Sequence, residues 1–196
     1  MTTPTQYIAF ADCTCVAHGD LAEVAGTVKT LVDARDTRTL LVFAHPTGQQ
    51  VDIDLRGSLE NVLAGVAEID APKPEPVVRK PGRPKLGVVG REVTLLPRHW
   101  EWLNAQPGGA SVALRKLVEQ ARRENRSADR ARQAREAAFR FMSAIAGNSA
   151  GYEEASRALV ACDREGFLDQ SRSWPRDVRD FALSLAADGL EKDATS

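Results

Sequence analysis

The pattern of apolar and polar residues predicts three strand segments in the first 55 residues. Residues 7–17 are rich in aromatic, Val, Ile, Thr and Cys residues, a composition typical of a strand or a tight hairpin. Residues 39–44 form an uncharged run that predicts a buried strand. Val51, Ile53 and Leu55 alternate with aspartates, which predicts a half-exposed strand.

Two amphipathic helices complete this part of the chain. Asp20 and Glu23 have the spacing of a capping box, and an apolar stripe follows at helical intervals, formed by Leu21, Val24, Val28, Leu31 and Val32. Residues 45–48 contain Pro and Gly and predict a turn. Ser58 can cap a second helix that extends to about Ile69. Residues 1–70 are therefore predicted to form an acidic ββα-ββα-type domain.

Residues 71–90 are predicted to be a basic, Pro-rich linker. Its prolines, which disfavour a helix and favour an extended path, are Pro72, Pro74, Pro76, Pro81 and Pro84. A strand over residues 91–96 follows, and Pro97 suits the first turn of a short helix. After a turn at 106–109, a second helix is expected to begin near Ser111.

The remaining residues, 127–196, predict a C-terminal helical region. Helical patterns cover 128–146, 150–162, 163–171 and 176–187. Phe139, Met142 and Ile145 are spaced three apart and are predicted to form a packing stripe. The predicted fold class is α+β, with a strand-helix-helix module over residues 91–126 between the linker and the C-terminal helices.

Charge is unevenly distributed along the 196 residues, although the net charge is only −1. Residues 1–72 carry 4 basic and 10 acidic side chains, residues 73–135 carry 15 and 6, and residues 136–196 carry 7 and 11. A positive segment between two negative ones favours a polyanionic partner. The alternative is a solvated basic linker and helix.

Composition narrows the class of protein. Hydrophobic residues make up 43% and charged residues 27%, which is ordinary for a globular domain. Apolar runs are too short for a bilayer span, the first residues lack a secretory signal, and three cysteines give no disulfide framework. We therefore expect a cytoplasmic protein without membrane association.

A seven-residue motif in the linker resembles the AT-hook, whose core is Arg-Gly-Arg-Pro. It suggests minor-groove contact with A·T-rich double-stranded DNA through Arg79, Lys80, Gly82, Arg83 and Lys85. Pro81 stands where the first core arginine of that motif would be, so one arginine insertion is missing. A plain basic linker is the alternative.

The strand-helix-helix order over residues 91–126 resembles the ribbon-helix-helix fold. That resemblance implies a homodimer whose paired strands lie in the DNA major groove, while the start of the second helix contacts a phosphate. The implied DNA-binding residues are Arg91, Thr94, Gly109, Ser111, Arg115 and Lys116. A helix-turn-helix arrangement of the same helices, and a purely structural module, are the alternatives. Trp100 and Leu103 would share a buried face, and Trp102 could lie on a partner surface.

Other candidate chemistry is weaker. Cys13, Cys15 and His18 lack the fourth ligand of a structural zinc site. Asp52 and Asp54 share one face of a strand and are more typical of a solvated edge than of acid–base chemistry. No phosphate-binding glycine loop or nucleophile motif is present. No enzyme activity, metal or cofactor is expected.

Three segments also resemble a bacterial family of uncharacterised proteins, domain of unknown function 2239. They are HPTGQQVDIDLRGS at 45–58, GRPKLGVVGREVTLLPRHWEWL at 82–103 and RFMSAIAG at 140–147. The resemblance covers roughly residues 7–187 and implies a bacterial, cytoplasmic protein, with no activity attached.

The middle segment therefore predicts a dimeric DNA-binding protein, a transcriptional regulator or a nucleoid-associated protein. A protein–protein adaptor, whose basic segment docks an acidic partner, is the alternative. An enzyme of unrecognised type is the third hypothesis.

Overall fold

Four strands and eight helices make up the part of the chain that this computed structural model describes, residues 5–70, 89 and 91–190. In chain order they are β1 (Gln6–Ala11), β2 (Thr14–Gly19), α1 (Leu21–Asp33), β3 (Leu40–His45), β4 (Gln49–Gln50), α2 (Leu59–Asp70), α3 (Pro97–Asn104), α4 (Gly109–Glu124), α5 (Arg126–Ile145), α6 (Tyr152–Val160), α7 (Arg164–Gln170) and α8 (Arg176–Leu190). The fold is α+β, and its first six elements have the predicted ββα-ββα order.

Local sequence signals explain where several helices begin. The Asp20 carboxylate accepts a hydrogen bond from the Glu23 backbone N–H at 2.8 Å, and the Glu23 carboxylate accepts one from the Asp20 N–H, so the predicted capping box is present. Ser58 Oγ accepts from the Asn61 N–H at 3.4 Å at the start of α2, and Pro97 opens α3. None of the described helices has the length and apolarity that a membrane span requires.

The sheet, with strand order β2-β1-β3-β4 and antiparallel pairing, is covered on both faces. Side chains alternate across a strand. On one face Tyr7 and Val42 pack in a cluster with buried residues of α1 and α2. On the other face Ile8, Phe10 and Phe43 pack with buried residues of α5 and α8. This two-sided burial explains why residues 40–44 are apolar without interruption.

Four phenylalanines form the centre of the second cluster. The ring centroid of Phe141 on α5 lies 4.7 Å from that of Phe181 on α8, 4.9 Å from that of Phe43 and 5.4 Å from that of Phe10. Three of them are fully buried, and Phe181 is 8% exposed. Each such aromatic pair contributes about 0.5–1.5 kcal/mol beyond its buried area. The C-terminal helices and the N-terminal sheet therefore share one core.

The chain divides into two compact units, Met1–Ala71 with Ala128–Ser196, and Pro72–Ser127. The sequence assigned residues 1–70 and 127–196 to separate domains, whereas the structure places them in the same unit. The physical reason is the second face of the sheet, which α1 and α2 do not cover and which α5 and α8 do.

Two sequence expectations differ from the structure within this first unit. Val51, Ile53 and Leu55 are half-buried and alternate with exposed residues as predicted, but β4 ends at Gln50 and this segment has no regular secondary structure. Phe139 is 47% exposed, so it is not part of the expected packing stripe. The buried aromatic residue of α5 is Phe141, because the helix turns that position toward the sheet.

We expect Phe141→Ala to lower the free energy of unfolding by about 3–5 kcal/mol, since it leaves a cavity where the sheet meets α5 and α8. Phe139→Ala is the matched control and should change it by no more than about 0.5 kcal/mol. Urea denaturation followed by circular dichroism, with amide hydrogen exchange in β1 and β3, measures both. Unchanged exchange protection of these strands in Phe141→Ala would show that the sheet does not depend on α5.

Candidate nucleic-acid interface

The second unit contains the candidate interface, and residues 91–96 precede its first helix, α3. These residues have no regular secondary structure, so the strand predicted there is not present in the single chain. A strand requires a hydrogen-bonding neighbour, and none of the described strands pairs with this segment. Arg91 and Thr94, two predicted base-contacting residues, are exposed on it.

A glycine turn joins α3 to α4. Gly108 precedes α4 and has a φ of 88°. Residues with a Cβ rarely adopt this backbone conformation. A Cβ on Gly108 would also approach the Val112 side chain to 3.1 Å. The Gly109 N–H donates to Gln106 O at 2.9 Å, which closes the turn, so α4 begins at Gly109 rather than near Ser111.

The first turns of α4 bring a guanidinium beside a helix N-terminus. Arg115 donates from Nε to Ser111 O and from Nη2 to Ser111 Oγ, both at 3.1 Å. Backbone N–H groups of a first helical turn have no partner within their helix, and the helix dipole favours an anion there. The Gly109 N–H already has an acceptor in Gln106 O, which leaves the amides of Ala110 and Ser111 as the candidate phosphate donors.

The other cations of α4 differ in their contacts. Arg122 forms an ion pair with Glu119 at 2.9 Å, and Arg123 donates to the Glu119 carbonyl at 3.2 Å. Within residues 5–70, 89 and 91–190, Lys116 has no hydrogen-bond or ion-pair partner, and it is exposed. Arg115 and Lys116 are therefore the α4 cations placed near the helix start.

Large apolar side chains remain exposed on the same elements. In the described part of the second unit, the buried hydrophobic residues are Leu103 and Ala113. Trp102 and Val118 are each 53% exposed, and the other exposed large hydrophobic residues here are Val89, Val93, Leu96 and Leu117. Trp100 is half-buried, as its predicted position on the Leu103 face suggests. The described part of this unit therefore exposes more large apolar side chains than it buries.

The predicted linker motif falls outside the described residues. This applies to Arg79, Lys80, Gly82, Arg83 and Lys85, and to nearly all of the linker predicted over residues 71–90.

Two of the weaker candidates from the sequence, Asp54 and Cys15, lie beside charged side chains. Asp54 accepts hydrogen bonds from Arg56 at 2.6 and 2.8 Å, and this arginine lowers the pKa of the Asp54 carboxyl to about 2. Burial raises the pKa of the Cys15 thiol, and the nearby Asp177 carboxylate raises it further. In the portion of the chain that is described, no three His, Cys, Asp or Glu side chains are grouped so that they could hold a metal ion.

Comparison with known proteins identifies a family but no close relative of known structure or activity. No curated protein and no solved structure matches the chain significantly. The family described as "Uncharacterized protein conserved in bacteria (DUF2239)" matches residues 6–186. This match confirms the resemblance to domain of unknown function 2239 over nearly the same residues. The chain belongs to the DUF2239 family of bacterial proteins.

Proposed function

We propose that this chain is a homodimeric DNA-binding protein, a transcriptional regulator or a nucleoid-associated protein. The observation that carries the proposal is on α4. Its first two turns hold Arg115 and Lys116, and its second half leaves Leu117 and Val118 exposed to solvent in the single chain. A DNA-binding module that dimerises needs both features, a cationic end for phosphates and an apolar face for a second copy.

In this proposal residues 91–126 contact the phosphates and the major groove, and the linker segment 79–85 contacts the minor groove. Arg115 and Lys116, with the amides of Ala110 and Ser111, contact phosphates and so position the protein without reading sequence. Residues 91–96 of two copies pair into a ribbon over the major groove, as in the ribbon-helix-helix fold. The segment 79–85 lies in the minor groove of A·T-rich double-stranded DNA, where Arg83 meets a strongly negative potential.

The charge distribution supports a polyanion as the partner. Residues 91–126 carry 7 basic and 4 acidic side chains, a net charge of +3, and residues 73–90 carry 5 basic and 1 acidic, a net charge of +4. The segments on either side are both acidic. An adaptor that docks an acidic protein is the alternative, and DNA titration separates the two.

We expect the protein to bind duplex DNA saturably and with steep salt dependence. In fluorescence anisotropy at several salt concentrations, Arg115→Ala/Lys116→Ala should weaken binding to every duplex. It should also reduce the slope of log K against log salt by about 0.9 for each phosphate that the variant no longer neutralises. Arg83→Ala should reduce the preference for A·T-rich over G·C-rich duplex.

Arg157→Ala/Arg172→Ala is the matched control for this titration. Both arginines are exposed in the first unit, and each pairs with an acidic residue three positions before it. Their loss should therefore leave DNA binding unchanged. If the folded protein binds no duplex at low salt, DNA binding is wrong and the basic segment serves a protein partner.

We expect a dimer at micromolar concentration that Val118→Glu converts to a monomer, because the substitution places a charge in the face that a second copy would cover. Val160→Glu is the matched control, since Val160 is 73% exposed on α6 and does not belong to this face. Sedimentation velocity measures the masses. A wild-type protein that stays monomeric would contradict the ribbon-helix-helix arrangement and favour helix-turn-helix binding by α3 and α4.

A further inference from the structure

A half-open cleft of about 470 Å³ lies within the first unit, among residues to which the proposed DNA binding assigns no role. It lies between the turn that follows β3, α5 and α8. On α5 its lining residues share one helix face, because Gln133, Ala134 and Arg140 follow Arg130 by three, four and ten residues. The volume is in the range of sites for small molecules.

The turn that forms one wall is fixed against α5. Gly48 has φ of 63°, and a Cβ there would lie 2.1 Å from the Ala137 carbonyl oxygen. The Gly48 N–H donates to Ala44 O at 2.8 Å, and the Arg140 guanidinium donates to Thr47 O. The cleft is therefore shaped by the fold itself, before any ligand enters.

The lining combines apolar surface with a few polar groups. Pro46, Ala134 and Leu185 supply the apolar part. Burial lowers the pKa of the His45 imidazole, and the nearby His18 lowers it further, which favours the neutral ring. An apolar wall with a small number of polar groups is the usual composition of a site that binds a small organic molecule.

Of the described residues that line the cleft, four are charged: Arg130, Glu136, Arg140 and Asp188. Glu136 pairs with Arg132 at 3.2 Å, and Arg140 donates to Thr47 O. Arg130 and Asp188 are therefore the charges that a ligand can engage. Arg130 Nε and Asp188 Oδ2 are 3.5 Å apart, and both side chains are more than half exposed. An exposed pair with this long contact contributes little to stability, so a ligand can replace it. A simple anion would pair with Arg130 and leave Asp188 facing a like charge, and a simple cation would do the reverse. A molecule with one carboxylate and one ammonium satisfies both residues.

We propose that this cleft binds a small zwitterion with an apolar body, an apolar amino acid or a dipeptide of such residues. The ligand carboxylate pairs with Arg130, its ammonium pairs with Asp188, and its side chain packs on Pro46, Ala134 and Leu185. Arg140 donates to the turn at Thr47 and does not contact the ligand. The proposal does not depend on DNA binding.

Isothermal titration calorimetry of the full chain with L-leucine and with L-leucyl-L-leucine tests the proposal. Isocaproate, which lacks the ammonium, and isopentylamine, which lacks the carboxylate, are the matched compounds. We expect at least one zwitterion to bind saturably and roughly tenfold or more tightly than either compound. Which of the two zwitterions binds more tightly decides whether the cleft prefers a free amino acid or a dipeptide.

Arg130→Gln and Asp188→Asn should each weaken zwitterion binding roughly tenfold. Both positions are exposed, so thermal unfolding of the variants should match that of the wild type and show that they fold. Arg172→Gln is the control, because Arg172 forms an equivalent exposed pair with Asp169 outside the cleft. The proposal is overturned if neither zwitterion binds at millimolar concentration, if isocaproate binds equally well, or if Arg130→Gln binds like the wild type.

Discussion

Burial of the sheet on both faces governs how the other elements of the first unit are arranged. Because side chains of β1 and β3 alternate, these strands present apolar residues to two helical layers at once. The first 70 residues supply one layer, α1 and α2. The face that carries Phe10 and Phe43 is covered by Phe141 of α5 and Phe181 of α8. The N-terminal segment therefore does not complete its own core.

Because helices from both ends of the chain cover the sheet, the first unit is discontinuous in sequence. The first unit is formed by the two ends of the sequence, and the basic segment 72–127 interrupts it. Apolar burial differs sharply between the units: the first buries two apolar clusters, one on each face of its sheet, whereas the described part of the second buries Leu103 and Ala113. The first unit therefore contains most of the buried apolar side chains of the described chain, whereas the described part of the second leaves most of its large apolar side chains exposed.

Sequence patterns predicted the parts of the fold that depend on neighbouring residues. The capping box of Asp20 and Glu23, the Ser58 cap and Pro97 at the start of α3 are confirmed, because each acts within one helical turn. The strand expected from Val51 to Leu55 fails, because alternation shows which side chains are buried but not whether the backbone has a hydrogen-bonded neighbour. The same limit applies to residues 91–96, where a single chain offers no neighbour among the described strands.

Local composition and spacing were sufficient for the α+β class, for the starts of α1, α2 and α3, and for the segregation of charge. The interface residues around α4 stay a prediction. Only the folded chain reveals that Phe141 rather than Phe139 enters the core, and that His45, Arg130 and Asp188 line one cleft. Periodicity fixes a residue's position on its own element. Which other element covers that position depends on packing between segments that are distant in the chain, such as Phe141 against Phe10 and Phe43, and no local pattern carries that information.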